Sequence, residues 1–163
     1  MASAADYFLK IKGIEGESLD AKHPKEIQLE SWTWGETNMG FHDAGGGGGA
    51  GKVQMQDFGF TMKLNAASSK LMIACATGQH IDEAILTCRK AGGEQNNYLK
   101  YTFNELHISS YQTGGSGHEP IPTESISFNF AKIKIEYFIQ DEKGATKAAG
   151  SAEYDLKKQL AAK

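Results

Sequence analysis

The run Gly45 to Lys52, GGGGGAGK, holds the residues whose type and spacing come nearest to doing chemistry. Gly46 to Lys52 satisfies G-x-x-x-x-G-K, a loop whose backbone N–H groups cradle phosphates while the lysine reaches the outermost ones. That chemistry needs a serine or threonine next, to ligate magnesium, and a helix opening behind the loop to hold the negative charge. The next residue is Val53, and Val53 to Met62 (VQMQDFGFTM) is a strand-like mixture of β-branched, aromatic and glycine residues. No strand of buried apolar residues precedes the run. Gly45, Gly46, Gly47, Gly48, Gly49, Gly51 and Lys52 therefore read as part of a long flexible arm, residues 35–52, and not as a nucleotide site.

The other candidates are weaker. Gly114 to His118 (GGSGH) departs from the G-x-S-x-G nucleophile elbow at its last position. Pro120 and Pro122 follow where the elbow needs a helix, so Ser116 reads as a loop serine. His23, His42, His80, His107 and His118 show no H-x-H or H-x-x-x-H spacing, and Cys75, His80 and Cys88 lack the close pairing of zinc ligands. The neighbours Asp82-Glu83 and Asp141-Glu142 sit at expected strand ends, where adjacent side chains point to opposite faces and form no acid–base couple. Trp32 and Trp34 share one strand face, as packing or subunit-interface residues do. The sequence assigns no catalytic residue, no metal ligand and no cofactor, and the expectation is a protein that is not an enzyme.

The elements that carry these residues are mostly strands. Tyr7 to Ile14 alternates, and Ile27 to Trp34 changes phase between Leu29 and Trp32, which calls for a bulge. Val53 to Leu64, Ile81 to Lys90 and Tyr98 to Tyr111 continue the set, the last with a phase change near Asn104-Glu105. In Ile126 to Tyr137 the inward series Ile126, Phe128, Phe130 gives way to Ile133 and Ile135 after Ala131, a flip that lets a strand bend from one sheet to another. One short helix is predicted over Ser69 to Thr77, capped by Asn65 or Ser68, closed by Gly78, with Leu71, Met72 and Cys75 as its apolar stripe. A tight turn at Ala91 to Glu94, a glycine-rich loop at Thr113 to Pro122, a mobile segment at 144–152 and a short strand at Tyr154 to Leu156 complete the chain. The sum is an all-β-dominated fold, a β-barrel of two packed antiparallel sheets with one flanking α-helix, in a single domain over residues 1–163.

Composition sets bounds on partners. The 163 residues carry a net charge of −3 and a pI of about 5.9, which argues against a nucleic-acid backbone as partner. No apolar run is long enough to insert in a membrane as a helix. Met1 to Asp6 lacks the charged and apolar regions of a cleaved leader. Two cysteines without C-x-x-C fit buried thiols in a reducing compartment, so the expectation is a cytoplasmic protein that needs a dedicated exporter if it leaves the cell.

Taken in order and spacing, a set of short motifs resembles one family. They are Phe8 to Lys12 with Gly16-Glu17-Ser18, Ser31 to Gly35, the arm Gly45 to Lys52 with Val53, Gln56 and Asp57, and Leu71-Met72 with Cys75. Arg89 to Glu94, Thr113 to Gly117, Asn129-Phe130-Ala131 and Tyr154-Asp155-Leu156 follow. Over almost the whole chain they are similar to the haemolysin-coregulated proteins, Hcp, of bacterial type VI secretion. The resemblance implies a homohexameric ring that stacks into the inner tube of a contractile machine, with a spike, a sheath and a baseplate as partners and small effectors bound in the ring lumen. It implies export by the apparatus without a signal peptide, and no effector domain fused after the Tyr154 strand. On that footing Gly45 to Gly51 and Lys52 are expected to form a ring-stacking loop. With Trp32 and Trp34 turned into packing, Ser31 and Thr33 are expected to face the lumen and its cargo. Two alternatives stay open: a ring-shaped effector chaperone that does not stack, and a nucleotide-binding enzyme using the glycine-lysine loop.

Overall fold

A computed structural model describes residues 3–42, 48–49, 52–91 and 96–161. In chain order the elements are β1 (Ala5–Ile11), β2 (Ile27–Leu29), β3 (Ser31–Thr33), β4 (Glu36–Asn38), β5 (Phe41–His42), β6 (Gly48–Gly49), β7 (Val53–Met55), β8 (Phe58–Lys63), α1 (Ser68–Thr77), β9 (Ile81–Lys90), β10 (Asn97–Gly114), β11 (Thr123–Gln140), β12 (Thr146–Asp155) and β13 (Leu160–Ala161). The fold class is the expected one: antiparallel strands with one short helix.

The two long strands organise everything else. β10 and β11 pair along almost their full length, from Leu99 opposite Tyr137 to Gly114 opposite Thr123. The first half of β11 takes β8 as its second neighbour and the second half takes β12. β11 therefore serves two sheets, which is the use its phase flip predicts. Neighbouring strands flip at the same level. The buried residues run Phe128, Phe130, then Ile133 on β11; Phe103, then Leu106 on β10; and Ile81, then Ala84 on β9. Because the flips are opposite one another, the register is unbroken across the bend, with Phe103 facing Ile133 and Leu106 facing Phe130. Glu105 makes the bend on β10 with a φ of +52°, a left-handed conformation uncommon outside glycine.

The barrel is not closed by a continuous ladder among the described residues. β2 pairs with β1 and β3 pairs with β8, so the Ile27 to Thr33 stretch steps from one sheet edge to the other. Glu30 sits at the step, its N–H donating to the Thr61 carbonyl at 2.9 Å. This is the phase change that the sequence shows between Leu29 and Trp32.

The interior is aromatic. The Phe58 ring lies 4.9 Å from Phe103 and 5.0 Å from Phe128, and all three are fully buried. Helix α1 closes the core with Leu71 and Ala74. The expected stripe is partly wrong here: Met72 is 47% exposed and Cys75 only half-buried, because Ala74 holds the second inward position. The cap also differs. The N-cap residue is Ala67, without a side-chain cap, since the Ser68 hydroxyl is drawn into the core. Gly78 ends the helix as expected, at φ +65°.

Two segments read as irregular carry regular pairing. The 144–152 stretch, expected to be mobile, belongs mostly to β12, whose ladder on β11 runs from Thr146 opposite Gln140 to Asp155 opposite Lys132. Its small polar residues lie on an exposed outer strand, held by backbone hydrogen bonds and not by an apolar face. In the 35–52 arm, β4 pairs with β7 just beyond it, and β5 pairs with β6 through Gly48 and Gly49. Lys52 is exposed. Gly45, Gly46, Gly47 and Gly51 lie outside the described residues, as does most of the Ala91 to Glu94 turn.

Candidate functional site

Alternation fixes one outward face of the molecule residue by residue. Phe58, Phe60 and Met62 of β8 point into the core, which leaves Gly59 and Thr61 outside. Ile126 and Phe128 of β11 point in, which leaves Ser125, Ser127 and Asn129 outside. On β10 Leu106 and Ile108 are buried, and His107 and Ser109 are not. The register then shifts by a bulge between Ile108 and Ser110, so Ser109 and Ser110 both stand against Ser127. At the edge, β3 turns Trp32 towards the core and leaves Ser31 and Thr33 exposed.

The result is a sheet face of small polar side chains that bond to one another. Ser31 and Thr61 share a hydroxyl–hydroxyl bond of 2.6 Å. Ser127 Oγ lies 2.8 Å from Ser109 Oγ and 2.5 Å from Ser110 Oγ, and the Ser109 hydroxyl donates to Asp57 at 2.5 Å. Asn129 and His107 pair at 3.0 Å. Close approach is possible at Gly59, where an added Cβ would stand 3.4 Å from the Thr33 methyl group. The sequence singled out Ser31 and Thr33. It missed Ser109, Ser110 and Ser127, although the Ile126, Phe128, Phe130 series already places Ser127 on the outer side.

This face holds no assembled catalytic group. No described imidazole bonds a serine hydroxyl, and the Ser116 hydroxyl accepts only from the His118 N–H, at 3.3 Å. Burial pushes the Cys88 thiol up to about 12, which keeps it protonated and poorly nucleophilic. Among the described residues no three His, Cys, Asp or Glu side chains converge as a metal site.

The tryptophans behind the face are packed. Trp32 stacks on Phe58 with centroids 6.1 Å apart and meets Tyr7 edge-on at 6.3 Å. Trp34 sits 6.2 Å from Tyr101 and 6.4 Å from Phe130. Its buried indole N–H has no hydrogen-bond partner among the described residues. Trp34 also lines a groove of about 540 Å³ between the root of the arm and the β11–β12 sheet, walled by Met55, Ile133, Ile135 and Tyr154.

A second outward face lies over β1, β9 and β10 and is built on a buried cation. Arg89 is 3% exposed and donates to Asp20 at 2.8 Å and to Asp6 at 3.0 Å. The hydrogen bond from Arg89 holds the Asp20 carboxyl down at about 2. The guanidinium carbon lies 4.8 Å from the centre of the Phe8 ring, and His23 stacks on the same ring at 4.4 Å. His23 Nδ1 meets the Glu26 carboxylate at 2.7 Å. Arg89 and its two carboxylates are far apart in sequence, so no local signal reveals that contact. Glu124 is likewise fully buried, accepting from the Ser68 and Tyr111 hydroxyls. Burial, then the bond to Glu124, pushes Tyr111 up to about 12. Extending the Ile126, Phe128 phase back two residues points Glu124 inward, which is the one sequence signal for this contact.

Comparison with known proteins converges on one family. A sequence model described as type VI secretion system effector, Hcp, matches residues 8–137. The chain is 45% identical over 152 residues to Protein hcp1 of Pseudomonas aeruginosa, covering 93% of both chains. The fold is similar to the crystal structure of Hcp1 from Salmonella typhimurium, with a TM-score of 0.79, 36% identity and coverage of 98% of this chain and 100% of that one. A second solved structure, of a type six secretion system protein, superimposes with a TM-score of 0.91 at 30% identity, again over 98% and 100% of the two chains.

Proposed function

This chain belongs to the Hcp family of type VI secretion proteins, and from that premise we propose that it is the repeating unit of a stacked hexameric ring whose lumen is lined by the hydroxyl face of β3, β8, β10 and β11. That the chain is a secreted, β-rich type VI protein follows from its family; ring, stack and lumen are the reading argued here. No helix among the described residues is long and apolar enough to cross a membrane. We place the chain in the cytoplasm until the machine exports it, with the sheath, spike and baseplate as further partners.

The observation that carries the reading is the mutual bonding of Ser31, Thr61, Asp57, Ser109, Ser110 and Ser127. A wall whose polar groups already satisfy one another offers no deep pocket, no large apolar patch and few free donors. Cargo meets a wet, shallow surface that holds it weakly and lets it go. A ring closes through a heterologous contact, in which two different patches of each copy meet. The groove at Trp34 supplies one such patch, with an indole N–H that a neighbour's carbonyl would satisfy. The glycine-rich arm at 35–52 is suited to reach an adjacent ring.

The test is electron microscopy of the purified protein with light-scattering mass on the same sample. Six-fold rings with an open centre support the reading. A monomer at all concentrations contradicts it. Open rings that never stack, with or without the arm shortened, reject the stacking role and leave a ring-shaped carrier.

A further inference from the structure

The outward face over β1, β9 and β10 holds a cavity of about 550 Å³ in which three lysines converge: Lys10 of β1, Lys100 of β10 and Lys22 from the 12–26 loop. The sheet register explains two of them. Lys10 is opposite Ile85 and Lys100 is opposite Thr87, two residues apart on the same face of the intervening strand β9. The two lysines thus flank a floor of Ile85 and Thr87 from either side, with their Cα positions two strand spacings apart and offset by two residues, about 12 Å in all. Lysine side chains from those positions reach the same volume.

The third lysine is placed by a built support. The Asp20 carboxylate accepts from the backbone N–H of Lys22 at 2.9 Å and of His23 at 3.2 Å, and is itself gripped by buried Arg89. The loop that carries Lys22 over the floor is thereby anchored to strand β9. His23 lines the cavity beside it and is 8% exposed. Its Nδ1 is held by Glu26, while its buried Nε2 has no partner among the described residues.

The three lysines are in no ion pair among the described residues, although Lys100 stands opposite Glu136 across the β10–β11 ladder. Of the other strand lysines, Lys63, Lys132 and Lys134 have acidic partners. Lys10, Lys22 and Lys100 have none among the described residues. Among the described residues the only carboxylate lining the cavity is that of Glu26, which His23 already engages. Three ammonium groups around one volume repel one another, and a multiply charged anion relieves that repulsion. A lone carboxylate would match one lysine and leave two. A chain of phosphates matches three, with Thr87 and Asn97 in the same lining to supply neutral hydrogen bonds.

We propose that this cavity is a binding site for a ligand with contiguous phosphate groups, either an inorganic polyphosphate or the phosphate chain of a nucleotide. It is independent of the glycine-lysine arm and of the lumen. The test is isothermal titration of the full chain at low salt, first with inorganic triphosphate and then with ATP, both without magnesium. Saturable binding with a dissociation constant well below about 1 mM, weakened about tenfold or more in Lys22→Gln/Lys100→Gln, is the expected result. Lys70→Gln, an exposed helix lysine remote in sequence from the cavity residues, should leave binding unchanged, and thermal midpoints should show that all variants fold. Equal affinity for both ligands would identify the phosphate chain alone as the ligand; tighter ATP binding would add a contact for the nucleoside. Absence of saturation with both, or an equal loss in Lys70→Gln, would overturn the proposal.

Discussion

The two outward faces of this molecule are built on the same strands and spend their polar groups in opposite ways. On the face of β3, β8 and the adjoining halves of β10 and β11, the hydroxyls of Ser31, Thr61, Ser109, Ser110 and Ser127 find another hydroxyl or the Asp57 carboxylate. On the face of β1, β9 and β10, a buried arginine spends two carboxylates on fixing a loop, and the lysines and imidazole nitrogen around it are left without partners among the described residues. The first is a finished surface, fit for a wall. The second is unfinished, and an unfinished polar surface points to a ligand. The shared core of Phe58, Phe103 and Phe128 lets one sequence carry both.

Removing that core is the most severe way to break the contrast. Phe103→Ala should cost about 4 kcal/mol of unfolding free energy, since it empties a fully buried aromatic site that supports both faces. Chemical denaturation would measure it; a loss under about 1 kcal/mol would mean that the core is not shared. Arg89→Ala should cost about 2 kcal/mol, through lost packing on Phe8 and two stranded carboxylates. It should also raise proteolysis in the 12–26 loop while leaving the hydroxyl face intact. Equal protection of the loop in the variant would show that Arg89 does not anchor it.

Acid sharpens the contrast with a smaller effect. The Asp20 carboxyl is depressed from 3.8 to about 2 by Arg89, so its contribution is complete above about 3.8 and is lost as pH falls towards 2. In that window the unfolded chain takes up a proton that the folded chain refuses. The thermal midpoint should therefore fall more steeply from pH 4 to pH 2 in the wild type than in Asp20→Asn. Parallel curves would remove Asp20 from the account. The smallest effect is expected on the finished face: Ser127→Ala should change stability by no more than about 0.5 kcal/mol, because Ser109 retains Asp57 and Ser110 gains water. A large loss in thermal scans would mean that the hydroxyl network holds the fold together and is not simply a wall.

Much of this architecture is legible in the residues themselves. The phase flips at Leu29, Asn104 and Ala131 foretell the step between sheets and the bends of β10 and β11. What they do not reveal is that the bends align across three strands, since register depends on which strands pair. The series Ile126, Phe128, Phe130 assigns Ser127 outward and Glu124 inward, but not the partners that meet them. Arg89, Asp6 and Asp20 come together only in the folded chain, 69 to 83 residues apart. The strand at 146–152 is not legible because an outer strand of alanine, glycine, serine and lysine shows no apolar alternation. Its pairing comes from the backbone of β11, which a side-chain pattern cannot report.

The placement of the hydroxyl face in the lumen is the claim most worth a direct measurement. Thr33→Cys in a Cys75→Ala background, labelled with a gold cluster and averaged by electron microscopy, locates that face within the assembled ring. Gold density inside the central hole, with ring diameter unchanged, is the predicted result. Gold on the outer rim, or at the contact between subunits, would contradict the account.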